Sequence, residues 1–340
     1  MTDCNCQRIS FIKNHLIRFG ILFLFYICII FVVSASNNNF AFAKNISMPE
    51  QEPAGIFANH YPNNQDHFRS HWPVLLTFVL PGFDQFVEGQ IIDGSLYAGY
   101  ALLGLNISAS ALDRLASSPG QSDISTRNND QRQALLGSQM YQEAGALSAY
   151  QTFRSTIEYE RKMNFGYQFI KSEDTSGDIM LAPLKFSFLT RPTTYLPLGI
   201  LLVGMIYSVD HEPSAAHYIT GSDIGYLSAL SYQAGTSEEA LFRGIFMPDL
   251  RNWWGSDFWS NIAQATVFSL AHISTDNPVP VWQFAAGYYW GWLAQKNKWS
   301  IQEGAFIHAW WDVIAFTASY LSDSKNNTNF YAPLFSAQFE

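Results

Sequence analysis

Thr236-Ser237-Glu238-Glu239-Ala240-Leu241-Phe242-Arg243-Gly244 sets two adjacent acids and an arginine inside the most hydrophobic third of the chain. On a helix, Glu239 and Arg243 stand at i and i+4, in the order that favours an ion pair, while Glu238 is rotated by about 100° and is left to face another element. Two later stretches supply candidates for that element. His272 closes Phe268-Ser269-Leu270-Ala271-His272 in one apolar segment, and His308-Ala309-Trp310-Trp311-Asp312 sets a histidine and an acid one turn apart in another. Ionisable groups at membrane depth are costly, so the default reading of such residues is a functional site turned toward the protein interior.

The surroundings of these stretches decide the fold class. Mean hydropathy over the 340 residues is close to zero at −0.02, but the average hides two kinds of sequence. Residues 44–72 and 113–192 are polar and charged, whereas 73–112 and 193–321 are rich in Leu, Ala, Gly and aromatics, with few and clustered charges. That contrast predicts an all-α protein, a polytopic membrane helix bundle with one large polar insertion. Nine of the ten tryptophans lie from Trp253 onward, beside apolar segments as in an interfacial aromatic belt. An aromatic-rich soluble core is the plainer account of the same composition. The net charge of −9 comes without a basic stripe, which gives no support to nucleic-acid binding. Cys4, Cys6 and Cys28 all fall near the amino terminus, so the body of the chain has no disulfide framework, and two close cysteines are too few for a zinc site.

In order, residues 1–43 read as a signal peptide or amino-terminal anchor: Arg8, Lys13 and Arg18 precede an apolar run from Phe19 to Ala35, and Ala41-Phe42-Ala43 follows. Residues 44–72 read as a polar extracytoplasmic segment whose His60, His67 and His71 lack an accompanying ligand pattern. A membrane helical region is expected over 73–112, broken at Pro81-Gly82. A polar loop over 113–193 follows, on a side of the membrane that the balance of nine basic and nine acidic residues over 113–191 leaves open. Inside it, Leu147, Tyr150, Phe153 and Ile157 recur at helical spacing, the pattern of an amphipathic helix that lies on a membrane, on a partner or on its own domain. Residues 194–321 form the expected core, with apolar helices over Thr194 to Val209, Ile224 to Phe246, Trp259 to Ile273, Val281 to Ala294 and Gly304 to Leu321. Short connections make these helices neighbours and bring the two histidine helices together. A polar tail occupies 322–340.

The three motifs, E-E-x-x-x-R at 238–243, F-x-x-x-H at 268–272 and H-x-x-x-D at 308–312, in this order and in apolar helices, resemble the CPBP family of intramembrane proteases. That family includes the endopeptidases that trim prenylated CAAX proteins and their bacterial relatives. The resemblance covers roughly residues 194 to 321, and Glu238 to Gly244 is its most specific part. It implies that Glu238 and His272 activate water while His308 and Asp312 support the oxyanion. Many members carry Asn where this chain has Asp312, and an ionised Asp accepts rather than donates hydrogen bonds, which leaves orientation of His308 as its safer role.

The residues themselves suit amide hydrolysis, which needs a base for water, a donor for the oxyanion and an acid for the leaving amine. Glu238 can shuttle the proton, with His272 holding the water, and His308 can donate to the oxyanion. Glu239 and Arg243 support the site as a buried pair, or Arg243 meets a substrate carboxylate. Glu238, His272 and His308 also suit one divalent metal such as zinc. Absence of an H-E-x-x-H helix tilts the reading toward chemistry without a cofactor. The expected substrate is a membrane-associated protein or peptide, and the expected location is a bacterial inner membrane, crossed several times. A non-catalytic membrane binding or immunity protein on the same fold is the alternative. The Asp312 substitution is the one point in its favour. Plainer readings of the residues themselves are a capping box at Thr236 to Glu239, a core histidine at 272 and a satisfied pair at His308 and Asp312.

Overall fold

The computed structural model describes residues 66–117, 124–162, 172–211, 219–273 and 278–322. Among them no strand occurs. The helices are α1 (Asp66–Val79), α2 (Phe83–Val87), α3 (Ile91–Ser117), α4 (Ile124–Lys162), α5 (Ser176–Leu181), α6 (Pro192–His211), α7 (Gly221–Glu238), α8 (Met247–Trp254), α9 (Asp257–Ala271), α10 (Val281–Lys296) and α11 (Gln302–Ser322). Two 3₁₀ turns, Ala182–Leu184 and Phe186–Thr190, precede α6, and a π-helical stretch, Glu239–Phe246, follows α7. The chain divides into two units, residues 1–72 and 73–340; of the first, only the opening of α1 is among the described residues. The signal or anchor segment 1–43, most of 44–72 and the tail 322–340 beyond its first residue lie outside them.

The break anticipated at Pro81-Gly82 is a tight one. Gly82 has φ 89°, and a Cβ there would sit 2.3 Å from the carbonyl oxygen of Gly94, so both the left-handed backbone and the close approach require glycine. The Gly82 N–H donates to Ser148 Oγ at 2.9 Å, which ties this corner to α4.

Within 113–193, expected as a polar loop with one amphipathic helix, the described residues are largely helical, and the long helix among them is buried along its middle. That helix, α4, runs for 39 residues. Leu147, Tyr150, Phe153 and Ile157 are buried in one cluster with Ala240, Ile245, Met247, Ile301 and Ala305, so the amphipathic stripe faces the chain's own core. Composition misled because many of the polar side chains of α4 also point inward. Gln85 Nε2 donates to the carbonyl of Ser148 at 3.1 Å and to Thr152 Oγ1 at 3.2 Å, and Tyr100 donates to Glu143 Oε2 at 2.8 Å. Small residues do the rest: Gly104 and Gly137 bring α3 and α4 so close that a Cβ on either would lie within about 2.5 Å of the other's carbonyl oxygen.

Two carboxylates from opposite directions fix the start of α11. Asp174 Oδ2 accepts from the Ile301 N–H at 2.9 Å, and its Oδ1 accepts from Gln302 Nε2 at 2.7 Å and Ser300 Oγ at 3.1 Å, which satisfies donors at a helix N-terminus. Glu303 gathers Arg191 Nη1 at 2.6 Å, Asn297 Nδ2 at 2.8 Å and the hydroxyls of Thr193 and Thr194, and so pins the head of α6 to α11.

Among the described residues no helix is long and apolar enough to cross a membrane. The spans expected from the sequence are therefore not met helix by helix. α9 and α10 have 15 and 16 residues, short of the about 20 that a bilayer core needs, and the longer α11 carries Glu303, His308 and Asp312.

Candidate active site

The acidic pair does not sit in a first turn. α7 starts fifteen residues upstream of Thr236, with Thr220 and Asp223 in a reciprocal capping box, and the chain passes through Thr236 in mid-helix. The Thr236 hydroxyl donates instead to Glu143 Oε1 of α4 at 2.7 Å. The capping explanation for Glu238 and Glu239 therefore does not hold. Immediately after Glu238 the backbone widens into the π-helix, a form that recurs as single turns at functional sites.

Glu239 and Arg243 make the pair that their spacing predicts, with Arg243 Nη1 to Glu239 Oε1 at 2.9 Å and both side chains fully buried. Arg243 is thus taken up by Glu239 rather than left open to a carboxylate from outside. Its Nη2 donates to the Gly287 carbonyl at 3.0 Å, and the guanidinium carbon lies 4.4 Å from the centre of the Phe268 ring and 5.3 Å from that of Trp290. A planar, weakly hydrated cation suits such an aromatic cradle better than lysine would.

Glu239 has a second task. Its Oε1 also faces His308 Nδ1 at 3.0 Å. A carboxylate only accepts, so this nitrogen carries hydrogen, and Nε2 is the one turned toward Glu238 Oε2 at 3.7 Å and Asp312 Oδ2 at 3.6 Å. The same logic fixes His272. Its Nδ1 lies 2.7 Å from the Phe268 carbonyl and must donate, which leaves the Nε2 lone pair facing Glu238 Oε2 at 4.0 Å. The carboxylate of Glu238 is thus set against the Nε2 atoms of two imidazoles, and among the described residues neither of its oxygens has a hydrogen-bond partner. Both separations exceed a direct hydrogen bond. Glu238 is 1% exposed and His308 3%, against 15% for His272 and 16% for Asp312, so the last two form the mouth of the site.

Backbone proximity makes this convergence possible. A Cβ on Gly235 would lie 2.6 Å from the Ala309 nitrogen, so α7 and α11 touch one turn before Glu238 and one residue after His308. Aromatic rings hold the imidazoles: Phe268 lies 4.5 Å from His272 and meets His308 edge-on at 5.9 Å, and Trp290 stacks on His308 at 4.0 Å with 21° between planes. All six residues singled out from the sequence, Glu238, Glu239, Arg243, His272, His308 and Asp312, belong to this one cluster. Trp290, Glu143 and Gly235 were not foreseen. For Trp290 the one signal was its place in the helix between the two histidine helices.

Among the described residues no group of three or more His, Cys, Asp or Glu side chains is gathered so that it could hold a metal ion. In the set named for zinc, Glu238 Oε2 lies 3.7 Å from His308 Nε2 and 4.0 Å from His272 Nε2.

Residues 220–314 match the family model described as type II CAAX prenyl endopeptidase Rce1-like. The matched stretch holds all three motifs, and it bears out the resemblance to the CPBP family of CAAX-type proteases. No curated protein and no solved structure matches the chain.

Proposed function

We propose, from the place of residues 220–314 in the CAAX-type protease family, that this chain is an endopeptidase that hydrolyses a peptide bond of a membrane-associated protein or peptide within the membrane. One observation carries the chemistry: among the described residues the buried Glu238 carboxylate has no hydrogen-bond partner, yet it faces His272 Nε2 at 4.0 Å and His308 Nε2 at 3.7 Å. A 4.0 Å gap between two acceptors is the span that one water bridges with ordinary hydrogen bonds.

In this reading, water held by Glu238 and His272 attacks the scissile carbonyl carbon as Glu238 takes its proton. A new C–O bond forms and the carbonyl becomes an oxyanion. His308, as imidazolium, donates from Nδ1 to Glu239 and from Nε2 to that oxyanion. Collapse breaks the C–N bond, and Glu238 returns the proton to the leaving amine. The orientation of His308, assigned from sequence to Asp312, falls to Glu239, which is closer by 0.6 Å (3.0 against 3.6 Å) and already anchored by Arg243. Asp312 keeps the smaller role of facing Nε2 until substrate arrives.

The membrane setting is supported by what the helices leave uncovered. Ile200, Val203 and Ile206 on α6 are 60–73% exposed, Ile92, Leu96 and Leu102 on α3 are 65–77% exposed, and Trp282 at the start of α10 is 81% exposed. Apolar area of this extent on a charge-poor surface marks contact with an apolar phase. A multi-pass protein of a bacterial inner membrane accommodates it. A prenylated CAAX substrate follows where the host makes one.

The test is cleavage of candidate membrane substrates by the purified full chain beside Glu238→Ala and His272→Ala, each with and without a chelator. Wild type cleaves and both variants lose the activity. Equal behaviour of all three removes the enzyme reading, and loss of wild-type cleavage with chelator transfers the chemistry to a metal.

A further inference from the structure

We infer that Trp290 is a positioning residue for the proposed hydrolysis, and that it sets the plane of His308 from which Nε2 is presented to the reacting carbonyl. The inference rests on the reading given above. A hydrogen bond at one ring nitrogen fixes one point of an imidazole and leaves the ring free to tilt about it. His308 has that bond, from Nδ1 to Glu239 Oε1. What fixes the tilt is the indole of Trp290, stacked at 4.0 Å with 21° between planes, with Phe268 edge-on at 5.9 Å and 76°.

The same indole touches the other cation of the site. Arg243 lies 5.3 Å from its centre, so Trp290 stands beside both the guanidinium and the imidazole that share Glu239 Oε1. Glu239, Arg243, Trp290 and His308 thus form a closed ring of contacts, in which the carboxylate holds the two cationic groups at one side and the indole at the other. Gly304, one turn before His308 on α11, leaves room for it: a Cβ there would lie 3.0 Å from Glu239 Oε2 and 3.9 Å from Trp290 Cβ. A side chain that merely filled the core would have no need to lie nearly parallel to a buried imidazole. Stacking of a cation on an indole face is also favourable in its own right, and more so where water is excluded.

The test compares the full chain with Trp290→Phe and Trp290→Leu in two measurements. In steady-state cleavage, Trp290→Leu lowers kcat about tenfold, or about 1.4 kcal/mol, with KM little changed, while Trp290→Phe, which restores an aromatic face, recovers most of the rate. In NMR of the detergent-solubilised protein, the downfield His308 Nδ1 proton stays sharp in wild type and Trp290→Phe and is broadened or lost in Trp290→Leu. An unchanged proton signal in Trp290→Leu overturns the inference whatever the activity. So does a kcat loss equal in both variants that follows their melting temperatures, since that is the mark of a core-filling role. Failure of the wild type to cleave any substrate would instead remove the proposed function, and the NMR comparison would still decide the positioning of His308.

Discussion

Replacing Glu239 by Gln removes the counter-charge of Arg243 with almost no change of volume. The pair is 2.9 Å apart and fully buried, and among the described residues Arg243 Nε has no hydrogen-bond partner and the other acceptor for the guanidinium is the Gly287 carbonyl. Removing one member of such a pair leaves a buried charge uncompensated and costs about 3–5 kcal/mol. Because the amide keeps an oxygen that can accept from Arg243, the lower end, about 3 kcal/mol, is expected. That is a large part of the about 5–15 kcal/mol that holds a typical domain together. The double variant Glu239→Leu with Arg243→Met should recover most of the loss, because Phe242, Phe268 and Trp290 already surround the guanidinium and Gln264 still donates to Gly287 at 2.8 Å. It should nevertheless be inactive, since His308 loses the acceptor for Nδ1. The assay is thermal or denaturant unfolding of the purified protein in detergent, run beside peptide cleavage. A Glu239→Gln variant as stable as wild type, or a double variant no more stable than the single one, would refute the argument that the charge is buried and paired.

Gly235→Ala puts a methyl 2.6 Å from the Ala309 nitrogen, and because the obstacle is backbone the helices must separate; a loss of about 1–3 kcal/mol in unfolding is expected, with a larger fall in kcat than in stability because Glu238 moves away from His308. Thr236→Val deletes the donor to Glu143 Oε1 and leaves Tyr100 as the remaining donor to that buried carboxylate, so the melting curve should show a loss of about 1–3 kcal/mol. Asp174→Ala uncaps α11 and should cost about 0.5–2 kcal/mol, with hydrogen exchange rising at Ile301 and Gln302 while amides in α9 are unaffected.

Sequence reading went furthest where a contact is local. The Glu239 with Arg243 pair, the helical apolar runs downstream of residue 194 and the neighbourhood of the two histidine helices all follow from spacing and short connections. It reached less far where the partner lies on another element. Asp312, one turn away, was read as orienting His308 and lies 3.6 Å from its Nε2, whereas only the tertiary structure shows Glu239, 69 positions earlier, at 3.0 Å from Nδ1. Composition made a polar loop of 113–193 outside the helix read at Tyr141 to Met163, because it counts glutamines, serines and acids without saying where they point, and Glu143, Gln139 and Gln142 are all 1–2% exposed. Trp290 was one aromatic among many in Tyr288-Tyr289-Trp290-Gly291-Trp292, and nothing local distinguishes the ring that stacks from those that do not.

The three bonds that Asp174 makes to residues 300–302 give the upstream half of the chain a claim on the chemistry. The stretch that the CAAX-type family model matches, residues 220–314, is consequently not a portable cassette. Grafted alone into another host it would lack the clasp at the root of its last helix and the acid that receives Thr236. A lineage that redesigned the region before residue 194 would be tuning its histidine from a distance.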